Sequence, residues 1–129
     1  MPKRVLIADD SHTVRYVIRL FLGNRTGLEV CGEAGDGLEA IEKAETLRPD
    51  LILLDYSMPE LNGAEVASIL KKRMPAVPII LFTMYGENVG KAIASAAGID
   101  VVLCKPDGIT QLAETAEKML AERPEHGDN

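Results

Sequence analysis

Two hydrophobic periods alternate along the chain. Short continuous apolar runs at 4–8 (RVLIA), 51–54 (LILL), 79–82 (IILF) and 101–104 (VVLC) each stop at polar residues and read as buried strands. The run 28–34 (LEVCGEA) is strand-like but of mixed polarity, which predicts a strand at a sheet edge. LILL has no polar break, the mark of a central parallel strand covered on both faces. Between the runs, apolar residues recur at helical spacing. Val14, Val17, Ile18, Phe21 and Leu22 predict a helix over 13–22, capped by Ser11 and ended by Gly23 and Asn24. Leu38, Ile41, Ala44 and Leu47 predict an inward face for a helix over 37–48, with Asp36 as cap and Pro49 as stop. Val66, Ile69 and Leu70 mark a third helix, and 86–97 a weaker one carrying Val89 and Ile93. Ile109, Leu112, Ala113, Ala116, Met119 and Leu120 mark the last, over 109–121. Residues 122–129 form a polar tail.

Five strands alternating with five helices predict a doubly wound α/β fold on a parallel sheet. In such sheets ligands sit outside the carboxyl ends of the strands, where the strand order reverses. Polar residues collect at that edge: Asp9 and Asp10 after the first strand, Asp55 after the third, Thr83 at the end of the fourth, and Lys105, followed by Pro106, after the fifth. Singly, each reads as capping or turn chemistry. Together they describe a site. Three carboxylates at ~4 Å repel by roughly 4 kcal/mol per pair at an effective dielectric near ~20, so they call for a cation. An all-oxygen donor set favours a hard ion, Mg²⁺ over zinc. A carboxylate beside Mg²⁺ and an ammonium is suited to accept a phosphoryl group.

Composition narrows the partners. The chain has 129 residues, one domain's worth, and 47% hydrophobic residues, enough for a core. Its net charge of −6 disfavours direct nucleic acid binding. It holds no apolar stretch of membrane-spanning length, and its N-terminus carries only a four-residue apolar run, so the expected location is cytoplasmic and off the membrane. Cys31 and Cys104 have no metal-ligand spacing and are expected as free thiols. Cys104 adjoins Lys105, although a small edge-strand residue is the simpler reading.

Asp9-Asp10, Asp55 within LLDYSMPELNG, Thr83 and Lys105-Pro106, in that order, resemble the signature of the response regulator receiver family over residues 3–121. The resemblance implies a flavodoxin-like, three-layer α/β/α fold with strand order 2-1-3-4-5. It implies a receiver domain over 1–121 and a flexible tail at 122–129. It also implies that Asp55 is the phosphoacceptor and that Asp10 and Asp55 bind Mg²⁺ directly, with Asp9 holding a metal-bound water or binding weakly. Ser57 would add its backbone carbonyl, Lys105 would pair with the phosphoryl group, and Thr83 would move to hydrogen-bond it. The Lys105–Pro106 bond is expected to be cis, and Gly63 to serve a turn that needs positive φ or close approach.

One position departs from the family. Three residues before the lysine the family carries Tyr or Phe, and this chain carries Val102, which puts the usual coupling between Thr83 and an aromatic ring in doubt. Tyr85 either takes over part of that role or shields the site. The glycine- and alanine-rich helix 86–97 is expected to shift on phosphorylation, making 86–121 the partner surface. The implied partners are a sensor histidine kinase or phosphotransfer protein, and a downstream target or a lost or truncated output domain. The run from LEVCGEA to DYSMP resembles receivers fused to helix-turn-helix transcription factors, and a phosphorylation-dependent homodimer is a further expectation. Two other readings stay open: an interaction module that works without phosphorylation, and a Mg²⁺-dependent aspartyl-phosphate phosphatase. The latter generally has a second Asp two residues after the nucleophile, where this chain has Ser57.

Overall fold

A computed structural model describes residues 2–25, 27–83, 93–104 and 109–121. The elements run β1 (Lys3–Ala8), α1 (His12–Gly23), β2 (Leu28–Ala34), α2 (Gly37–Leu47), β3 (Leu51–Leu54), α3 (Gly63–Arg73), β4 (Ile79–Thr83), helical residues 93–97 (α4), β5 (Val101–Cys104) and α5 (Ile109–Ala121). All strand pairs are parallel, in the order β2-β1-β3-β4-β5, which is the flavodoxin-like arrangement. The expected tail at 122–129 and the first part of the helix expected at 86–97 lie outside the described residues.

The strand pleat sorts the core into two faces. Leu6, Ala8, Ile52, Leu54, Ile79 and Leu81 pack against α2, α3 and α4. The alternate residues Val5, Ile7, Leu51, Leu53, Ile80 and Phe82 pack against α1 and α5. Alternation of this kind is what a strand covered on both faces requires, so an unbroken apolar run is the right sequence for it. β2 stands at one edge and is covered less evenly, which accounts for its mixed composition.

Caps fix where the helices begin. Ser11 accepts from the Val14 N–H and Asp36 from the Glu39 N–H. Asn62 and Glu65 form a reciprocal capping box at the start of α3. Two expected core positions differ from the sequence reading. Phe21 is exposed at 38%, because the buried stripe of α1 narrows to Ile18 and Leu22, and Phe21 lies off it at roughly 100° of rotation per residue. Leu38 is also exposed, because α2 is seated through Gly37, Ala40, Ile41 and Ala44, and Leu38 lies roughly 100° round the helix from Gly37, at the margin of that face.

The edge of the sheet where strands begin is tied by hydrogen bonds. Asp50 accepts from the Arg4 N–H at 2.8 Å and donates its own N–H to the Arg4 carbonyl at 2.7 Å. Asp100 repeats the device on Ile79, accepting at 2.8 Å and donating at 2.9 Å. Lys71 holds Asp100 in place, with its Nζ 3.1 Å from the carboxylate. A lost side-chain acceptor beside a part-buried N–H costs about 1–2 kcal/mol. Asp100→Ala is therefore expected to lower the unfolding free energy by that amount in urea denaturation. Asp100→Asn keeps an acceptor oxygen and is expected to lose less.

Candidate functional site

The opposite edge is built by register. Ala8 of β1 pairs with Leu54 of β3, so the next residues, Asp9 and Asp55, emerge side by side. The Asp55 N–H donates to the Ala8 carbonyl at 2.8 Å, and the Asp9 N–H donates to the Ala34 carbonyl at 3.0 Å. One carboxylate oxygen from each of Asp9, Asp10 and Asp55 lies within 4.8 Å of the others. Asp9 and Asp55 are buried, at 2% and 7% exposure, while Asp10 is exposed and forms the open side. This donor set is entirely carboxylate oxygen, which fits a hard divalent cation such as Mg²⁺.

Neighbouring groups orient the cluster. Asp9 Oδ1 accepts from the Ser11 N–H at 2.9 Å, so the residue that caps α1 also aims the carboxylate before it. Arg15, one turn into α1, donates to the Asp9 carbonyl at 2.6 Å and to Glu33 at 2.9 Å. Arg19 closes on the same glutamate at 2.6 Å. Arg15 and Glu33 were not among the residues singled out from the sequence. The available signal was weak: a cation four residues after the capping serine, on the flank of the apolar stripe.

The remaining expected residues distribute as follows. Thr83 ends β4 on the same edge, fully buried, in register with Cys104 of β5. Ser57 is exposed in the loop between β3 and α3. Gly63 opens α3 with its N–H donating to the Tyr56 carbonyl at 2.8 Å. A Cβ at Gly63 would stand 2.5 Å from the Asp55 carbonyl oxygen and 2.9 Å from Leu81, so close approach of backbone is the constraint there. Val102 is half-buried against the face that carries α2, α3 and α4. Lys105, Pro106 with its expected cis bond, and Tyr85 lie outside the described residues. Of the two free cysteines, Cys104 is exposed, and burial pushes the Cys31 thiol above its ordinary value. His12 is exposed at the start of α1.

Known proteins resemble the chain over most of its length. A family model described as the response regulator receiver domain matches residues 5–117. The response regulator protein VraR of Staphylococcus saprophyticus is 36% identical over 118 residues, which are 92% of this chain and 56% of that protein. VraR of Staphylococcus aureus is 35% identical over the same shares. The chain thus spans about half the length of the curated relatives it matches. The response regulator domain of Thermotoga maritima CheB superposes with a TM-score of 0.87 at 30% identity, covering 96% of this chain and 100% of that one. The isolated REC domain of RcsB from Salmonella enterica serovar Typhimurium, in the presence of phosphomimetic BeF3−, gives 0.82 at 28% identity, covering 97% and 95%.

The glutamate behind the cluster makes a prediction. Burial raises the Glu33 pKa, but hydrogen bonds and charge from Arg19 and Arg15 outweigh it, so the net shift is downward from 4.5. A depressed carboxylate contributes stability above its unfolded value and loses it as pH falls through the lower folded value. Glu33→Gln is expected to destabilise the protein by about 1 kcal/mol at neutral pH. The urea midpoints of the variant and wild type should begin to converge as pH falls below about 4.5 and meet only once it has fallen through the lower folded value.

Proposed function

The chain belongs to the response regulator receiver domain family of two-component systems, and from that premise we propose that Asp55 accepts a phosphoryl group from a phosphohistidine with Mg²⁺ held beside it. The observation that carries this reading is the convergence of three carboxylates, two of them buried, at the strand ends of a parallel sheet. Asp10 and Asp55 would hold the metal directly, Asp9 would hold a metal-bound water or bind weakly, and Ser57 would add its backbone carbonyl. Mg²⁺, when bound, neutralises charge on the transferring oxygens. The Asp55 carboxylate forms the new O–P bond as the donor's N–P bond breaks, and the leaving imidazole keeps the electron pair and takes up a proton. Lys105 pairs with the phosphoryl oxygens, and the Thr83 hydroxyl donates to one of them. Gly63 lets α3 start against the Asp55 backbone, which keeps the carboxylate aimed at the metal.

The output surface is 86–121. Around Thr83, Tyr85 and Val102 form the switch, with valine in place of the family's ring. Within this surface, the described residues 93–104 are lightly anchored while α5 is seated by buried Leu112, Ala113, Ala116 and Leu120, which supports a shift of the α4 and β5 part on phosphorylation. Ala94 and Ala97 are the buried contacts of α4, Ile93 is exposed, and the β5 residues are at most half-buried. Segments with few apolar contacts shift at small cost. A sensor histidine kinase or phosphotransfer protein supplies the phosphoryl group. A downstream protein, or an output domain elsewhere in a longer protein, reads the repacked surface, and two phosphorylated copies pair through it. The relatives named VraR, which extend well past the matched region, support the second arrangement. The domain is a signalling module whose only chemistry is its own phosphorylation and dephosphorylation, and it works in the cytoplasm without touching nucleic acid. No helix among the described residues is long and apolar enough to cross a membrane.

Acetyl phosphate with Mg²⁺ should add one phosphate to the protein by intact mass. The adduct should be absent after chelation and absent in Asp55→Asn. An adduct that survives either change would overturn the assignment. Asp10→Asn should weaken Mg²⁺ binding by about tenfold or more in calorimetric titration.

A further inference from the structure

The loop between β3 and α3, residues 55–62, carries Asp55 and Ser57 and is gripped from two sides. Gly63 grips it at the Asp55 backbone. The second grip comes from Gly37, the first residue of α2, far away in sequence. A Cβ there would lie 2.5 Å from the Leu61 carbonyl oxygen, 2.7 Å from Leu61 Cβ and 3.0 Å from Val66 Cγ2. The Gly37 N–H donates to the Pro59 carbonyl at 3.2 Å, and the Leu61 N–H donates to the same oxygen at 2.9 Å. Between these two residues, Glu60 sits at φ 74, a left-handed conformation that a side-chain-bearing residue holds only when its surroundings impose it.

α2 itself is firmly placed at this end. Asp36 caps it, and the Gly35 N–H donates to Glu39 at 2.7 Å, an interaction that holds the Glu39 carboxyl below its usual range. The helix start is therefore a fixed wall, and the loop is the part that must give.

We infer that Gly37 is a positioning residue for the metal-binding loop: its missing side chain lets the loop fold tightly enough to bring the Ser57 carbonyl to the Asp10 and Asp55 carboxylates. This rests on the Mg²⁺ reading above. A side chain at 37 pushes on the Leu61 backbone, which no rotamer change relieves. Ser57 is displaced with the loop, and the population able to bind the metal falls. Apparent affinity falls by the same factor.

Mg²⁺ alone is titrated calorimetrically into the full chain, Gly37→Ala and Gly35→Ala, and the metal-free unfolding midpoint of each is measured. Gly35 is the control because a Cβ there meets nothing closer than 3.6 Å. Gly37→Ala is expected to bind Mg²⁺ about tenfold more weakly while Gly35→Ala stays within about twofold. Unchanged affinity in folded Gly37→Ala would overturn the inference, as would a loss accounted for by the unfolded fraction. Should Gly37→Ala not fold, hydrogen exchange in the wild type decides. Saturating Mg²⁺ is expected to slow exchange of the Gly37 amide about tenfold, because the loop then opens less often. Exchange that ignores the metal would sink the idea. A wild type that binds no Mg²⁺ would instead remove the reading on which it rests.

Discussion

Like charges brought close together outside bulk water are the constraint around which this domain is arranged. Asp9 and Asp55 are nearly excluded from solvent and stand beside Asp10, with ligand oxygens within 4.8 Å. Left to itself, such a cluster spreads. Here the backbone denies it room to spread. Asp9 is tied to β2 through the Ala34 carbonyl and Asp55 to β1 through the Ala8 carbonyl. Those strands are fixed in turn by side chains buried on both faces. Repulsion held in this way becomes affinity for a cation, so the stability of the sheet and the chemistry at its edge are two aspects of one arrangement.

The parts of this that could be read from the sequence are those dominated by one-dimensional pattern. LILL at 51–54 declares a strand covered on both faces, and it is the middle strand of the five. Asp9, Asp10 and Asp55 follow directly on apolar runs, so a parallel sheet gathers them on one edge whatever the details of the helices. Ser11 and Asp36 announce their caps by residue type. Periodicity is less informative on the helix faces. The phase of α2 is set by small residues, Gly37, Ala40 and Ala44, that sit close to the sheet, and hydrophobicity alone gives them less weight than Leu38. Phe21 misleads for the opposite reason: a large apolar residue next to a narrow buried stripe.

The supporting shell around the carboxylates was hidden for a different reason. Arg15 and Glu33 belong to α1 and β2 and meet only once the chain has folded. Gly37 and Leu61 are likewise brought together by the packing of α2 on the loop before α3. Nothing in the local sequence marks a glycine whose absent side chain matters to a carbonyl 24 positions on, because the close approach exists only in the folded chain.

The ties made by Asp50 and Asp100 have a mechanical consequence. Together with the Ile52 N–H donating to the Pro78 carbonyl, they fasten β1 to β3, β3 to β4 and β4 to β5 at the rim away from the carboxylates. A sheet tied at both rims does not let its strands slide lengthwise, since a one-residue slip would exchange the two core faces. The loops at the carboxylate rim are therefore the parts with room to move, and the register of the strands beneath them stays as it is.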